Sequence, residues 1–494
     1  MINMRNLLLL ILSCCISSVH AQVNHWQRFS DEVFKQAQLE HKPVLLDLGA
    51  SWCHWCHVMD DSTYSNPAIV QYLAEHFILV REDQDKRPDL YARYKDYGWP
   101  ATIIFYEDGR EILKNSGYQA PEAFLALLKG AYTTARMMPP AKVGAANSSY
   151  RTKKWSLSSA AFIHDNFLSY LDMEKGGYDM QQRFLEYDGI AYALQRYHTD
   201  QVLQKWLQIT IPQSYKLNDP VWGGVYQYST HNGWDYPHFE KILSIQARYI
   251  KIYSDYFAVT RDSSALLQAV HIVSWLDKFM RSPSGLYYNS QDADVIKGVH
   301  AGDYFQLSAT ARLQKGIPDI DSTCYARENA QLATAFLHLH KVLAVPAHLQ
   351  KADSILVALQ KNFKLANGGY LHDTAFKATV ALGDVLYTAI ANWEYYKCTA
   401  NEAAKKEAQD CADYILQHFT GSNGGLFSFI SNNKYLPADY ILTENIDACR
   451  YFRNIAQLNP RYKKAGDDIF SYISSPAVLQ NIIAEPGILM AVDP

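Results

Sequence analysis

Cysteine is scarce, 8 in 494 residues, which excludes a small scaffold stapled by disulfides. Basic excess is missing: 46 Lys and Arg face 50 Asp and Glu, so the electrostatic footprint of a nucleic-acid binder is absent. Long apolar runs are missing too. Leu7 to Ile16 is too short to span a bilayer, and nothing after it is apolar enough. Hydrophobic residues make up 48% and charged ones 19%, a balance that excludes wholesale disorder. What stands out is 35 Tyr and 10 Trp. Such rings fill cores for the most part, and they also stack on flat ligands such as sugars.

Residues 1–21 read as a secretory signal peptide. Arg5 precedes the apolar run, and Val19-His20-Ala21 suits cleavage before Gln22. Ile11-Leu12-Ser13-Cys14 is close to a lipobox, so a lipoprotein anchored at Cys14 is the alternative. Either reading puts the mature chain outside the cytoplasm, periplasmic or secreted, in an oxidising compartment. The rest is expected to divide into an α/β domain over 22–136, a linker over 137–154 rich in Pro, Gly, Ala, Asn and Ser, and an all-α domain over 155–494.

In the first domain the patterns run α-β-α-β-α-β-β-α. Ser30-Asp31 starts a helix, Val44 to Leu48 is a buried strand, and Trp52-Cys53-His54-Trp55-Cys56-His57 follows it directly. Further strands are expected at 77–80 and 101–105, with Asp108-Gly109 turning into 110–113. Helices are expected from Pro67, near Pro88 and from Pro121. A Cys-x-x-Cys after the first buried strand is the thioredoxin arrangement. Cys53 at a helix N-terminus gains thiolate character, and Cys56 one turn on can resolve a mixed disulfide. Pro100, before the strand 101–105, sits where such folds place a cis-proline facing the dithiol. Trp52, His54 and His57 would tune the redox pair, a protonated histidine favouring the thiolate. Three other readings compete. Cys53-His54-Trp55-Cys56-His57 fits c-type haem attachment. Two Cys and two His could bind a metal, although neighbours on one helical turn cannot all converge on one ion. Lastly, the dithiol could be a mere staple. No metal or other cofactor is assigned.

From about residue 155 the period is helical. Helices are expected at 156–173, 185–199, 200–216, 240–259, 262–281, 324–343, 346–365, 382–399, 401–419, 440–458 and 460–475, with a weak twelfth near 476–487. A repeat marks the turns: Gly176-Gly177-Tyr178, Gly223-Gly224-Val225-Tyr226, Gly285-Leu286-Tyr287, Gly368-Gly369-Tyr370 and Gly424-Gly425-Leu426-Phe427. Six helical hairpins make an (α/α)6 toroid, with an open solenoid as the alternative. Polar residues cluster after the turns. His238, Glu240, Asp292 and Asp294 are candidate acid/base groups, and Trp234, Tyr236, Gln291, His372 and Asp373 candidate substrate contacts, around a carbohydrate. Each also has a plainer reading as a cap or loop-ordering group. Cys324, Cys398, Cys411 and Cys449 fall on expected helices and read as inert thiols, with a Cys398–Cys411 bridge across one hairpin as an option.

Trp52 to Met59, Asp85 to Leu90, Gly98-Trp99-Pro100, Tyr228-Ser229-Thr230, Pro237 to Lys241 and Ser290 to Asp294 resemble the YyaL-type family of spermatogenesis-associated thioredoxin-like proteins. The resemblance implies a thioredoxin-like domain followed by a toroid similar to six-hairpin glycosidases and N-acylglucosamine 2-epimerases, without an established reaction. Ser244-Ile245-Gln246-Ala247 departs from the family pattern, as do Val295 to Gly302 and the segment after Asp373-Thr374-Ala375. The first expectation is therefore a thiol–disulfide oxidoreductase with a redox partner protein. The second is a carbohydrate-active enzyme or binder with a carbohydrate ligand. A scaffold without turnover is the third.

Overall fold

The computed structural model describes residues 25–137, 155–375, 380–430 and 433–492. The expected leader and all of the linker after Met137 lie outside the described residues.

The apolar run at 44–48 forms the buried strand β1 (Val44–Gly49), entered from helix α1 (Asp31–Glu40). The short helix α2 (His54–Met59) carries the cysteine motif and continues in a wide turn to Tyr64. Then come α3 (Pro67–His76), β2 (Ile78–Asp83), α4 (Pro88–Tyr94), β3 (Ala101–Phe105), β4 (Glu111–Ser116) and α5 (Pro121–Met137). The sheet order is β2-β1-β3-β4. β1 and β2 are parallel, whereas β3 is antiparallel to both β1 and β4. This is the expected α/β arrangement, and the Trp99–Pro100 peptide is cis.

The second domain is a ring of paired helices. Its outer helices are α6 (Leu157–Ser169), α8 (Gln201–Ser214), α10 (Ser263–Trp275), α14 (Pro346–Asn362), α16 (Glu402–His418) and α18 (Pro460–Ile473). The inner ones are α7 (Tyr187–Gln195), α9 (Leu243–Thr260), α13 (Ala326–Leu343), α15 (Leu382–Thr399) and α17 (Leu442–Asn454). The expected twelfth helix is two single turns, α19 (Pro476–Leu479) and α20 (Gly487–Met490), because Pro486 interrupts the stretch. α20 packs against α6, α7 and α17. With the Arg450–Asp188 ion pair at 2.9 Å, it closes the ring, which excludes the open solenoid. Two short helices the periodicity missed, α11 (Gly302–Phe305) and α12 (Ala309–Lys315), are held down by Arg312, whose guanidinium shares buried Asp219 with Lys241.

The glycine turns behave as expected: Gly176, Gly223, Gly285, Gly368 and Gly424 have φ between +74° and +92°. One device recurs beside them. On α9, Gln246 bonds both the N–H and the carbonyl of Val225, each at 2.7 Å. Asn329 on α13 does the same for Tyr287, and Asn445 on α17 for Leu426. A buried amide in the first turns of an inner helix thus satisfies the N–H and carbonyl of an extended residue that forms only an isolated bridge, to Asn218, Arg281 or Thr420. The family departure at Gln246 is one of these clamps. Cys324 precedes α13 instead of lying on it, and the four late cysteines are all free, so the Cys398–Cys411 bridge is not formed.

The domains do not end cleanly against each other. Phe429, Tyr435, Leu436 and Ile441, all from the helical domain, join the buried core around Phe29, Phe34 and Phe105. Tyr435 stacks on Phe34 with ring centroids 4.2 Å apart. Tyr435→Ala is expected to cost about 3 kcal/mol, the low end for a buried ring, and Tyr435→Phe little. Hydrogen exchange checks this: amides of β1 and β3 should exchange faster in the Ala variant, and unchanged protection there would refute the shared core.

Candidate functional site

Cys53 caps α2, and its Sγ accepts the Cys56 N–H at 3.2 Å. The two cysteines are joined as a disulfide. In an isolated domain of this type such a motif would face solvent. Here Cys53 is 4% exposed and packs with Trp52 and Ala50 against Ile242, with Ile245 beside them. Both isoleucines belong to the ring. Haem attachment through this motif has no room, since Cys53 is covered and His57 is turned to Asp292.

The residues expected to act separately meet in one seam. β5 (Lys241–Ile242), β6 (Ser290–Gln291) and β7 (Ile320–Asp321) form a small sheet, and β6 delivers Asp292 and Asp294 to the cysteine helix. His54 Nδ1 lies 2.8 and 2.9 Å from the two oxygens of Asp294. His57 Nε2 lies 2.8 Å from Asp292 Oδ2. Both histidines are therefore paired with ring carboxylates. Burial works against a charged His57, but the hydrogen bond and charge of Asp292, with Asp294, outweigh it and raise its pKa.

A second hub is Asp85, just after β2. Its carboxylate accepts the Trp52 indole N–H at 2.6 Å and the Asn289 amide at 2.9 Å. Burial first, then the charge of Asp83, push its pKa up to about 8. The Asp85 carbonyl accepts from His372 Nε2 at 2.7 Å, while His372 Nδ1 faces Asp384 at 2.9 Å. A carbonyl only accepts, so His372 holds a proton on Nε2, and a second on Nδ1 suits the carboxylate. Burial opposes that charge, yet Asp384 and Glu328 carry the His372 pKa up to about 9.

Next to the cysteine helix is a half-open cavity of about 360 Å³, lined by His54, Trp55, His231, Tyr236, His238, Phe239, Glu240, Asp294 and His300 among others. Such a volume suits a small ligand. Glu240 is 3% exposed; Oε1 lies 3.4 Å from the His54 nitrogen, and Oε2 has no hydrogen-bond partner among the described residues. Burial, with Asp292 adding, raises Glu240 to about 7. Burial, then His54, His300 and His231, lower His238 to about 4, and the imidazole stacks on Tyr228. At neutral pH the wall thus offers an unprotonated imidazole and a carboxyl near half-protonation.

Of the expected substrate contacts, only Tyr236 reaches this cavity. Trp234 is 2% exposed, bonded to the Lys175 carbonyl and packed over Gly177, so it is a core residue. Gln291 is buried in the small sheet, and His372 and Asp373 serve the seam and their own loop. The aromatics after the glycine turns, Tyr226, Tyr287 and Tyr370, are core too. Pro100 is buried and directly precedes Ala101, which pairs with Leu48 of β1. Sequence reasoning missed Trp55, His231, His300, Asn289 and Ile242. Trp55 and Ile242 lay inside or next to quoted motifs, whereas His300 sits in the stretch where the family pattern breaks.

A family model described as a protein of unknown function, DUF255 (Thioredox_DsbH), matches residues 6–129. The first domain is thioredoxin-like and is similar to that family. Spermatogenesis-associated protein 20 of Mus musculus is 27% identical over 314 residues, 54% of this chain and 38% of that protein. The resemblance read from the motifs is thereby borne out, and this chain spans well under half of that relative. The thiol:disulfide interchange protein DsbD of Ralstonia nicotianae is 33% identical over 113 residues, 22% of this chain and 19% of that protein. A sugar epimerase from a ruminal bacterium matches the fold with a TM-score of 0.50 at 15% identity, over 63% of this chain and 83% of that one. The architecture is a thioredoxin-like domain joined to an (α/α)6 toroid.

The pKa of His372 gives the seam a pH signature. Its folded value of about 9 exceeds the ordinary ~6.5, so folding favours the protonated form. That stabilisation is whole below pH ~6.5 and is lost as pH rises through about 9. His372→Gln is expected to flatten the fall of melting temperature over that window. Asp85 contributes a fall of the same sign in both proteins. Equal slopes in the two would refute the assignment.

Proposed function

We propose that this protein is an exported thiol–disulfide oxidoreductase whose Cys53–Cys56 pair works inside a domain seam. The observation that carries the reading is the bonded cysteine pair at the cap of α2, directly after β1 of a thioredoxin-like sheet. In the reducing direction the Cys53 thiolate attacks a substrate disulfide and forms a mixed disulfide, releasing one substrate thiolate. The Cys56 thiolate then attacks Cys53 Sγ, closes the internal disulfide and releases the second. The cover of Ile242 and Ile245 over Cys53 favours a small disulfide over an extended protein segment. Cys56→Ser is expected to accumulate mixed disulfides through Cys53, and Cys53→Ser not. The reduced wild type should react much faster with N-ethylmaleimide than with a polymer-linked maleimide. A folded Cys56→Ser protein that traps nothing would sink the redox reading, and equal alkylation rates the preference for small substrates.

A second reading is supported by the cavity itself. His238 and Glu240 are an acid/base pair suited to moving a proton on a bound carbohydrate, with Tyr236 and Trp55 as exposed flat faces on the rim. Hydrolysis by two carboxyls is disfavoured, because Asp292 and Asp294 are engaged by the two histidines. A melting screen over mono- and disaccharides should find a stabiliser whose effect is lost in Glu240→Gln. No shift with any sugar would remove this reading.

A further inference from the structure

The seam holds a cluster that neither reading uses. One donor atom each from His57, Asp292 and Asp294 lies within 4.8 Å of the other two. The side chains are 11%, 2% and 1% exposed. The carboxylates are held in place before any ligand arrives. The Asp294 N–H donates to Asp292 Oδ1 at 2.9 Å, and the Gly298 N–H to Asp294 Oδ2 at 2.9 Å. His54 braces Asp294 from the other side. The objection that residues on one helical turn cannot converge on an ion no longer applies, since α2 supplies one imidazole and the ring supplies both carboxylates.

A second observation points the same way. Glu240 lies on the cavity wall with Asp294 and His54, is almost wholly buried, and keeps one carboxylate oxygen without a donor among the described residues. Three carboxylates and two imidazoles meet here, and a buried acceptor left unmatched is costly.

We propose that His57, Asp292 and Asp294 bind a first-row divalent cation on the cavity wall, bridging the two domains. Imidazole with carboxylates suits Zn²⁺, Co²⁺, Mn²⁺ or Fe²⁺ better than Ca²⁺ or Mg²⁺, which prefer oxygen alone. Three protein ligands leave coordination open for a small molecule. Asp294 also lines the cavity, which brings the cluster to the edge of the ligand space. His54 is then a positioning residue that orients Asp294.

The test uses the full chain, stripped with chelator, with Cys53–Cys56 kept oxidised, and titrated with Co²⁺. One Co²⁺ per chain is expected, with visible bands of nitrogen and oxygen ligation, no thiolate-to-cobalt charge transfer, and a raised melting temperature. Asp292→Asn and Asp294→Asn should each weaken binding by about tenfold or more. Wild type that takes up no Co²⁺ overturns the proposal, even if the variants fold poorly. A thiolate charge-transfer band overturns it as well, as does binding that both Asn variants retain.

Discussion

Two histidine–carboxylate pairs, His54 to Asp294 and His57 to Asp292, join the helix that carries the cysteines to the segment after the third glycine turn. All four side chains are buried or nearly so, and removing one member of such a pair leaves an uncompensated charge that costs about 3–5 kcal/mol. The pairs fix where α2 sits, and α2 in turn forms a wall of the ring's cavity. Sulfur chemistry and cavity chemistry are thus mechanically one site. Any change of the cysteine helix on gaining or losing the disulfide is felt by Asp294, and by Glu240 through the His54 N–H.

Much of the architecture was legible from local pattern. A continuous apolar run placed β1, which is buried on both faces, and period-3.6 apolar spacing placed the eleven main helices, α15 to the residue. Glycine spacing announced the hairpins, since only positive φ makes those turns tightly. The α11–α12 insertion was not legible, because it is anchored by one buried arginine on a distant aspartate and not by a periodic face. The weak twelfth helix failed for a local reason, Pro486 in its path.

The site was half legible. His54, His57, Glu240, Asp292 and Asp294 were named as chemistry-bearing, but they were assigned to two separate places. Their convergence depends on how one domain lies on the other, and no local pattern carries that. Trp234 was misjudged because an indole that stacks on a sugar and one that packs over Gly177 look alike in sequence. The aromatic excess resolves similarly. Most of it fills the core behind the amide clamps of Gln246, Asn329 and Asn445, while Trp55, Tyr236 and Phe239 are left to the ligand space.

Tyr435 and its neighbours lend their side chains to the core of a domain that ends some three hundred residues earlier. During synthesis the first domain therefore emerges with part of its interior uncovered. Phe34 and its companions wait for ring residues that arrive almost last. Completion of the redox domain is thereby made conditional on closure of the ring, so a truncated chain would carry a cysteine motif but an unfinished fold around it.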